Sequence, residues 1–272
     1  MALSGFTESS FAHEGTERTV YRRGTGPGVV IMHEIPGITP PVAHFAERVA
    51  DAGFTTVLPL LFGTPGKPFS VPYAAGQMMR ACVSREFAVL AARRTSPIAT
   101  FLRALCRSVH AELGGPGVGA IGMCLTGNFA LALMVEPCVM APVLSQPSLP
   151  FPLGAKRKAG LHLSDADLEV VKRRAADGVD VLGLRFTGDP LCPAARFERL
   201  RTELGARFEG IEIDSSRGNA HGIKGIAHSV VTTDLVDEEG HPTRQALDRV
   251  LAFFRERLHP SSARQPRVDT GH

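Results

Sequence analysis

Three residues in one order along the chain could carry nucleophilic chemistry: a cysteine, then an acid, then a histidine. The cysteine is Cys124, in the stretch VGAIGMCLTGNFALALMV over 118–135, where small apolar residues run straight into the thiol and then into a helix-like apolar pattern. A strand that ends at Gly122-Met123-Cys124 and turns at once into a helix holds the residue at the bend in a tight, strained conformation. Gly122 and the small residues that follow keep the strand and the helix from colliding. The thiol then projects from the carboxyl end of the sheet, beside the Leu125 amide at a helix N-terminus, a setting that favours a thiolate and stabilises an oxyanion. The pattern is G-x-C-x-x-G, with Thr126 where a second glycine is usual and Gly127 one position later. A buried structural cysteine is the ordinary alternative in an apolar run. The strand-turn-helix context favours the nucleophile.

In a sheet of this kind the acid and then the histidine follow the nucleophile in chain order, each at the carboxyl end of a later strand. Asp189, in LRFTGDPLCP, stands directly after a strand-like run at a glycine turn; its bland role is that of a turn aspartate before proline. Asp214 and Asp180 are less well placed, at or within a strand end and at a strand start. Three histidines compete for the base: His221 in GNAHGIKG, His228 in IAHSVVT and His241 in EGHPTRQ, the last resembling a residue that flanks a helix begun by Pro242. The histidine takes the thiol proton and later protonates the leaving group, while the acid orients the imidazole. His33, His44 and His162 read as ordinary polar or core residues.

The elements that must position these groups alternate between strand and helix, which predicts a mainly parallel sheet flanked by helices on both faces. TVYRRG reads as an edge strand, and GVVIMHE and TTVLPLL as buried ones. Later strands are GVGAIGMC, APVLSQP, VDVLGLRFTGD and FEGIEIDSS. Helical spacing covers PPVAHFAERVADAG, Tyr73–Ala92, Ser96–Leu113, Gly127–Glu136, Ser164–Asp177, Pro193–Leu204 and TRQALDRVLAFFRERL. The longest irregular stretch, 147–163, is placed to lie over a site. A single domain over 1–260 is expected, with 261–272 as a flexible tail.

The 272 residues are 44% hydrophobic and 21% charged, in the range of a globular protein rather than a disordered one. A formal net charge of +3, scattered along the chain, gives no nucleic-acid stripe, and AKRK at 155–158 reads as a solvated loop. Five cysteines, odd in number and without a C-x-x-C pair, fit a reducing compartment better than a disulfide framework or a zinc ribbon. With no apolar run long enough for a bilayer and no basic-then-apolar leader, a cytoplasmic protein without membrane contact is expected. GVGAIG over 117–122 matches a dinucleotide fingerprint literally, but it occupies the strand instead of following it.

With Cys124, Asp189 and His228 in that order, the chain resembles the dienelactone hydrolase family of α/β-hydrolases from about Val29 to Leu258. MHEIPGI at 32–38 is similar to the family's glutamate-containing turn, and AHSVVT to its histidine loop, which favours His228 over His221. The resemblance implies an α/β-hydrolase fold and a cysteine-dependent hydrolase of esters or lactones that works through an acyl-enzyme without cofactor or metal. It further implies that Glu34 contacts the resting thiol and keeps it uncharged until substrate arrives, and that the Ile35 amide joins Leu125 in the oxyanion hole. Arg85, with Arg80 nearby, falls where the family grips a substrate carboxylate. The partner is then a small-molecule ester or lactone, and the protein a monomer or small homo-oligomer. The same residues would serve a thioesterase or acyl transferase, and a scaffold that binds a ligand without turnover is the alternative outside catalysis.

Overall fold

A computed structural model describes residues 3–84, 87 and 95–259. The chain opens with a hairpin, β1 (Thr7–His13) and β2 (Thr16–Arg23), paired antiparallel. The turn between them is Glu14-Gly15, both at positive φ (47° and 77°), the two-residue geometry that matches strand twist. The polar-apolar alternation of TESSFAH places β1 on the sheet rim, so TVYRRG is an interior strand and not the expected edge. β1 escapes notice because nearly all of it is solvent-facing and reads as polar.

From there strands and helices alternate: β3 (Gly28–Met32), α1 (Pro40–Asp51), β4 (Thr55–Pro59), α2 (Val71–Val83), α3 (Ile98–Leu113), β5 (Val118–Met123) and α4 (Phe129–Leu133). The second half adds β6 (Val139–Ser145), α5 (Ala155–Lys158), α6 (Asp165–Ala176), β7 (Val181–Phe186), α7 (Ala194–Leu204), β8 (Phe208–Ile213) and α8 (Pro242–Leu258). Ser164 caps α6, its side chain accepting from the Asp167 amide at 3.1 Å. His241 caps α8, as its place before Pro242 suggests. AKRK forms the single exposed turn of α5 rather than a loop. The helix expected over Tyr73–Ala92 is seen as α2. Its remainder beyond Ser84, apart from Phe87, lies outside the described residues, as do Arg85 and the expected tail 261–272.

Among the described residues the sheet has eight strands in the order β1-β2-β4-β3-β5-β6-β7-β8. β4 through β8 run parallel, and β2 meets β4 antiparallel. This is the fold class the alternating pattern predicts, with helices on both faces. Alternate residues of each strand feed opposite cores: Val29 and Ile31 of β3 pack with Phe45 of α1 and Phe253 and Phe254 of α8, while Val30 and Met32 pack with Leu102 and Leu105 of α3 and Phe129 of α4. A one-residue slip in any central strand would exchange these two sets, so the register is strongly specified. Parallel pairing then aligns the carboxyl ends of β3, β5, β6, β7 and β8 along one rim, and the loops from these ends converge there.

Candidate active site

The bend after β5 is as tight as the sequence implies. Cys124 has φ of +54°, a left-handed conformation that costs a non-glycine residue about 1 kcal/mol and persists only where its surroundings impose it. A Cβ on Gly122 would lie 2.1 Å from the Thr126 carbonyl oxygen, so only glycine fits there. Cys124–Thr126 form one 3₁₀ turn before α4, which is shorter than the expected Gly127–Glu136 helix. Gly127 explains part of this: a Cβ there would sit 2.4 Å from Pro147 Cα, so the loop after β6 presses on the start of the helix. Thr126, the departure from the usual second glycine, is fully buried and bonded on both sides. Its hydroxyl accepts the Met123 amide at 2.9 Å and donates to the Met32 carbonyl at 2.8 Å, tying the bend to the end of β3.

The structure brings Cys124, Asp189 and His228 together. Asp189 follows β7 and is buried; its Oδ2 lies 2.6 Å from His228 Nδ1, and its Oδ1 accepts the Leu191 amide at 2.9 Å. The turn aspartate and the imidazole partner are therefore one residue, using one oxygen for each task. His228 is on the loop between β8 and α8. Burial pushes its pKa down, but the Cys124 sulfur and the Asp189 carboxylate outweigh burial and hold it well above the usual histidine value. His221 stands apart, its ring edge-on to His241 at 5.1 Å between centroids.

Glu34 lines the same cavity as Cys124. The carboxylate is buried, and its hydrogen bonds come from Ser229 Oγ (2.7 Å), Thr232 Oγ1 and Gln146 Nε2 (3.2 Å). Hydroxyl and amide donors bind a carboxylate more strongly than a weak thiol donor does. Glu34 thus joins the turn after β3 to the histidine loop, while Cys124 Sγ has Ser148 Oγ at 3.7 Å and the His228 side chain as neighbours. Ile35 lines the cavity above Cys124, and the Leu125 amide lies in the first turn after the bend, where helix amides lack internal partners. Neighbouring His33 is completely buried, accepts the Leu61 amide on Nε2 at 3.0 Å and gives Nδ1–H to the Glu34 carbonyl at 3.1 Å. Burial lowers its pKa to about 4, so the ring is neutral and works as a backbone brace.

Sequence reasoning missed several residues that build this site. Arg196 of α7 has no exposed surface, and its guanidinium donates to the carbonyls of Gly160 (2.8 Å), Pro150 (2.6 Å), Arg157 (3.1 Å), Leu191 (3.4 Å) and Pro147. One side chain thereby fastens the loop after β6 to the loop that carries Asp189. Burial brings its pKa down to about 10, still far above neutrality. Arg185 of β7 donates to the Cys192 and Thr187 carbonyls at 2.8 and 3.0 Å and braces the acid loop from the other side. Asp234 accepts the His228 and Ser229 amides, each at 2.9 Å, and so fixes the histidine loop. Ser148 and Gln146 belong to the stretch after β6. Of these, only Ser148 lies in the irregular segment over 147–163 whose length was a signal; Gln146, Arg185, Arg196 and Asp234 lie outside it.

A cavity of about 560 Å³ opens over Cys124 and His228. Its walls are mostly apolar, with Ile35, Pro36, Pro41 and Phe69 among them, and Glu34 and Ser229 mark its polar end. Among the described residues no group of three or more His, Cys, Asp or Glu is arranged to hold a metal ion, and no helix is long and apolar enough to cross a membrane.

A mainly parallel sheet with a thiol at a tight strand-to-helix bend, then an acid, then a histidine in chain order on the loops of its carboxyl rim has the architecture of an α/β-hydrolase. The sequence model of the Dienelactone hydrolase family matches residues 18–258. The chain is 24% identical over 202 residues to the Saccharomyces cerevisiae protein named "Putative carboxymethylenebutenolidase", covering 71% of this chain and 69% of that one. Two solved structures share the fold. A Klebsiella pneumoniae protein described as "Putative Dienelactone Hydrolase" is 18% identical with a TM-score of 0.63, over 92% of this chain and 98% of that one. The Anabaena variabilis dienelactone hydrolase is 16% identical with a TM-score of 0.58, over 93% and 99%. The chain belongs to the dienelactone hydrolase family. It is a hydrolase that acts on esters or lactones.

Proposed function

We propose that this hydrolase is cysteine-dependent and cleaves small carboxylic esters or lactones through an acyl-enzyme on Cys124. The observation that carries the reading is the convergence, on the lining of one cavity, of a thiol at positive φ with His228, whose Nδ1 is paired with the buried Asp189. His228 takes the thiol proton, and Asp189 keeps the imidazole aligned and stabilises it once charged. The sulfur adds to the carbonyl, and the amides of Leu125 and Ile35 receive the developing oxyanion; one such donor contributes about 10²-fold to 10³-fold in rate. His228 then protonates the departing alkoxide, and water activated by the same ring releases the acid.

The apolar walls formed by Ile35, Pro36, Pro41 and Phe69 suit an acyl or alcohol group with apolar surface. Arg85 as a grip on a substrate carboxylate is a further part of the proposal and rests on the sequence. So do the single domain over 1–260 and a cytoplasmic setting, the latter supported by five cysteines that are all free thiols.

An activated ester with a chromogenic leaving group tests the reading. Turnover should disappear in Cys124→Ala, and a slow ester should leave its acyl mass on the peptide containing Cys124. A thioester assayed in parallel separates esterase from thioesterase preference. Ligand binding without turnover would make the protein a hydrolase-like binder and overturn the reading.

A further inference from the structure

Ser148 lies where the thiol and the imidazole meet. Its hydroxyl is 3.7 Å from Cys124 Sγ, 3.5 Å from His228 Nε2 and 3.1 Å from the Gln146 carbonyl oxygen. The side chain is completely buried, and its position is imposed from several directions. The Ser148 amide donates to the Cys124 carbonyl at 2.9 Å, Asn128 Nδ2 donates to the next carbonyl, that of Leu149, and Arg196 donates to the preceding one, that of Pro147. Gly127 lets this loop approach the bend to van der Waals contact.

A serine hydroxyl has one proton to give and two lone pairs to receive. Beside a neutral thiol and a neutral imidazole, that proton is best placed on the Gln146 carbonyl. Transfer of the thiol proton to His228 changes the neighbours: the sulfur becomes an anionic acceptor and Nε2 becomes a donor. Ser148 can then donate to the sulfur and accept from Nε2–H at the same time. Both new bonds involve a charged partner, and such bonds are about twice as strong as neutral ones. The hydroxyl therefore favours the charged pair over the neutral pair.

We propose that Ser148 is a further catalytic residue, a hydroxyl that holds the Cys124 thiolate and the His228 imidazolium together as an ion pair ready for attack. This rests on the reading of Cys124 as the nucleophile. The other titratable or charged groups around the pair are Asp189 at Nδ1, Glu34 in the cavity wall, Asp234 at the His228 amide, and Arg196 and Cys192 behind the acid loop. None of them contacts both reacting atoms as Ser148 does.

The test measures two profiles from about pH 4 to about pH 9: carbamidomethylation of Cys124 by iodoacetamide, followed by peptide mass, and kcat/KM on an activated ester. Ser148→Ala, which removes one oxygen and keeps the backbone bonds, should move the acid limb of both profiles up by about one pH unit. It should also lower kcat about tenfold at neutral pH with little change in KM. Ser148→Thr should restore both, and Ser148→Gly serves the same measurement if the alanine variant does not accumulate. Unshifted profiles in the Ala or Gly variant, alongside an inactive Cys124→Ala, would overturn the role of Ser148 alone. Undiminished turnover in Cys124→Ala would overturn both the role and the reading on which it rests.

Discussion

Asp189 divides its carboxylate between two jobs, 2.6 Å from His228 Nδ1 through one oxygen and 2.9 Å from the Leu191 amide through the other. Asp189→Asn keeps the turn but offers an amide where the imidazole needs an acceptor, so the ring flips tautomer or loses its anchor. The expected result is a fall in kcat of about 10²-fold to 10⁴-fold, less severe than Cys124→Ala. Because the carboxylate helps hold His228 above its ordinary pKa, its removal should also move the alkaline limb of the pH–rate profile downward. A profile with the wild-type alkaline limb would show that Asp189 does not support the imidazolium.

The bend depends on Thr126. Thr126→Val keeps the shape but leaves the Met123 amide and the Met32 carbonyl without their hydroxyl partner inside the core. Stranding buried polar groups costs about 1–3 kcal/mol each, so the urea midpoint should fall measurably while Thr126→Ser stays near wild type. Because the same bonds set the direction of Cys124, kcat should fall with stability in the valine variant.

Arg196 is a positioning residue whose five acceptors are all backbone carbonyls, four in the segment after β6 that carries Ser148 and α5 and one in the loop carrying Asp189. Arg196→Met fills similar volume with no donor and should cost about 3 kcal/mol or more. The predicted signature is a lower melting temperature together with a kcat loss larger than any KM change, since both loops loosen while the cavity walls remain. Lysine in its place reaches fewer carbonyls and should recover only part of either loss.

Cys124 and Asp189 were legible because each stands just after a strand, and His228 because it follows them in chain order on the loop after β8. The choice of His228 over His221 came from family likeness, and the pairing with Asp189 supplies its geometry. The partners of Glu34 were not legible: Ser229 and Thr232 are 195 and 198 positions away, and no local rule links a turn after β3 to hydroxyls beyond β8. Ser148 is only 24 positions from Cys124 but sits in a loop without a motif, and its meaning depends on where β6 ends beside β5. β1 was missed for a different reason. A solvent-facing rim strand with one partner carries too few apolar residues to show the two-residue period clearly.

His33 makes the stability of the whole site depend on pH. Its neutral ring accepts from the Leu61 amide and donates to the Glu34 carbonyl, and burial lowers its pKa from 6.5 to about 4. Between these two values the unfolded chain binds a proton that the folded chain refuses, so stability must rise with pH through that window and fall as the solution is acidified. The stabilisation is complete above pH 6.5 and lost as pH drops toward about 4. A shift of this size corresponds to about 3 kcal/mol from this one group. His33→Gln should be less stable than wild type at neutral pH, because its amide replaces the ring bonds imperfectly. It should also show a distinctly shallower decline of the urea midpoint between pH 6.5 and pH 4, since glutamine has no proton to take up. Parallel declines in the two proteins would mean that other groups govern the acid limb and that His33 is not the brace described here.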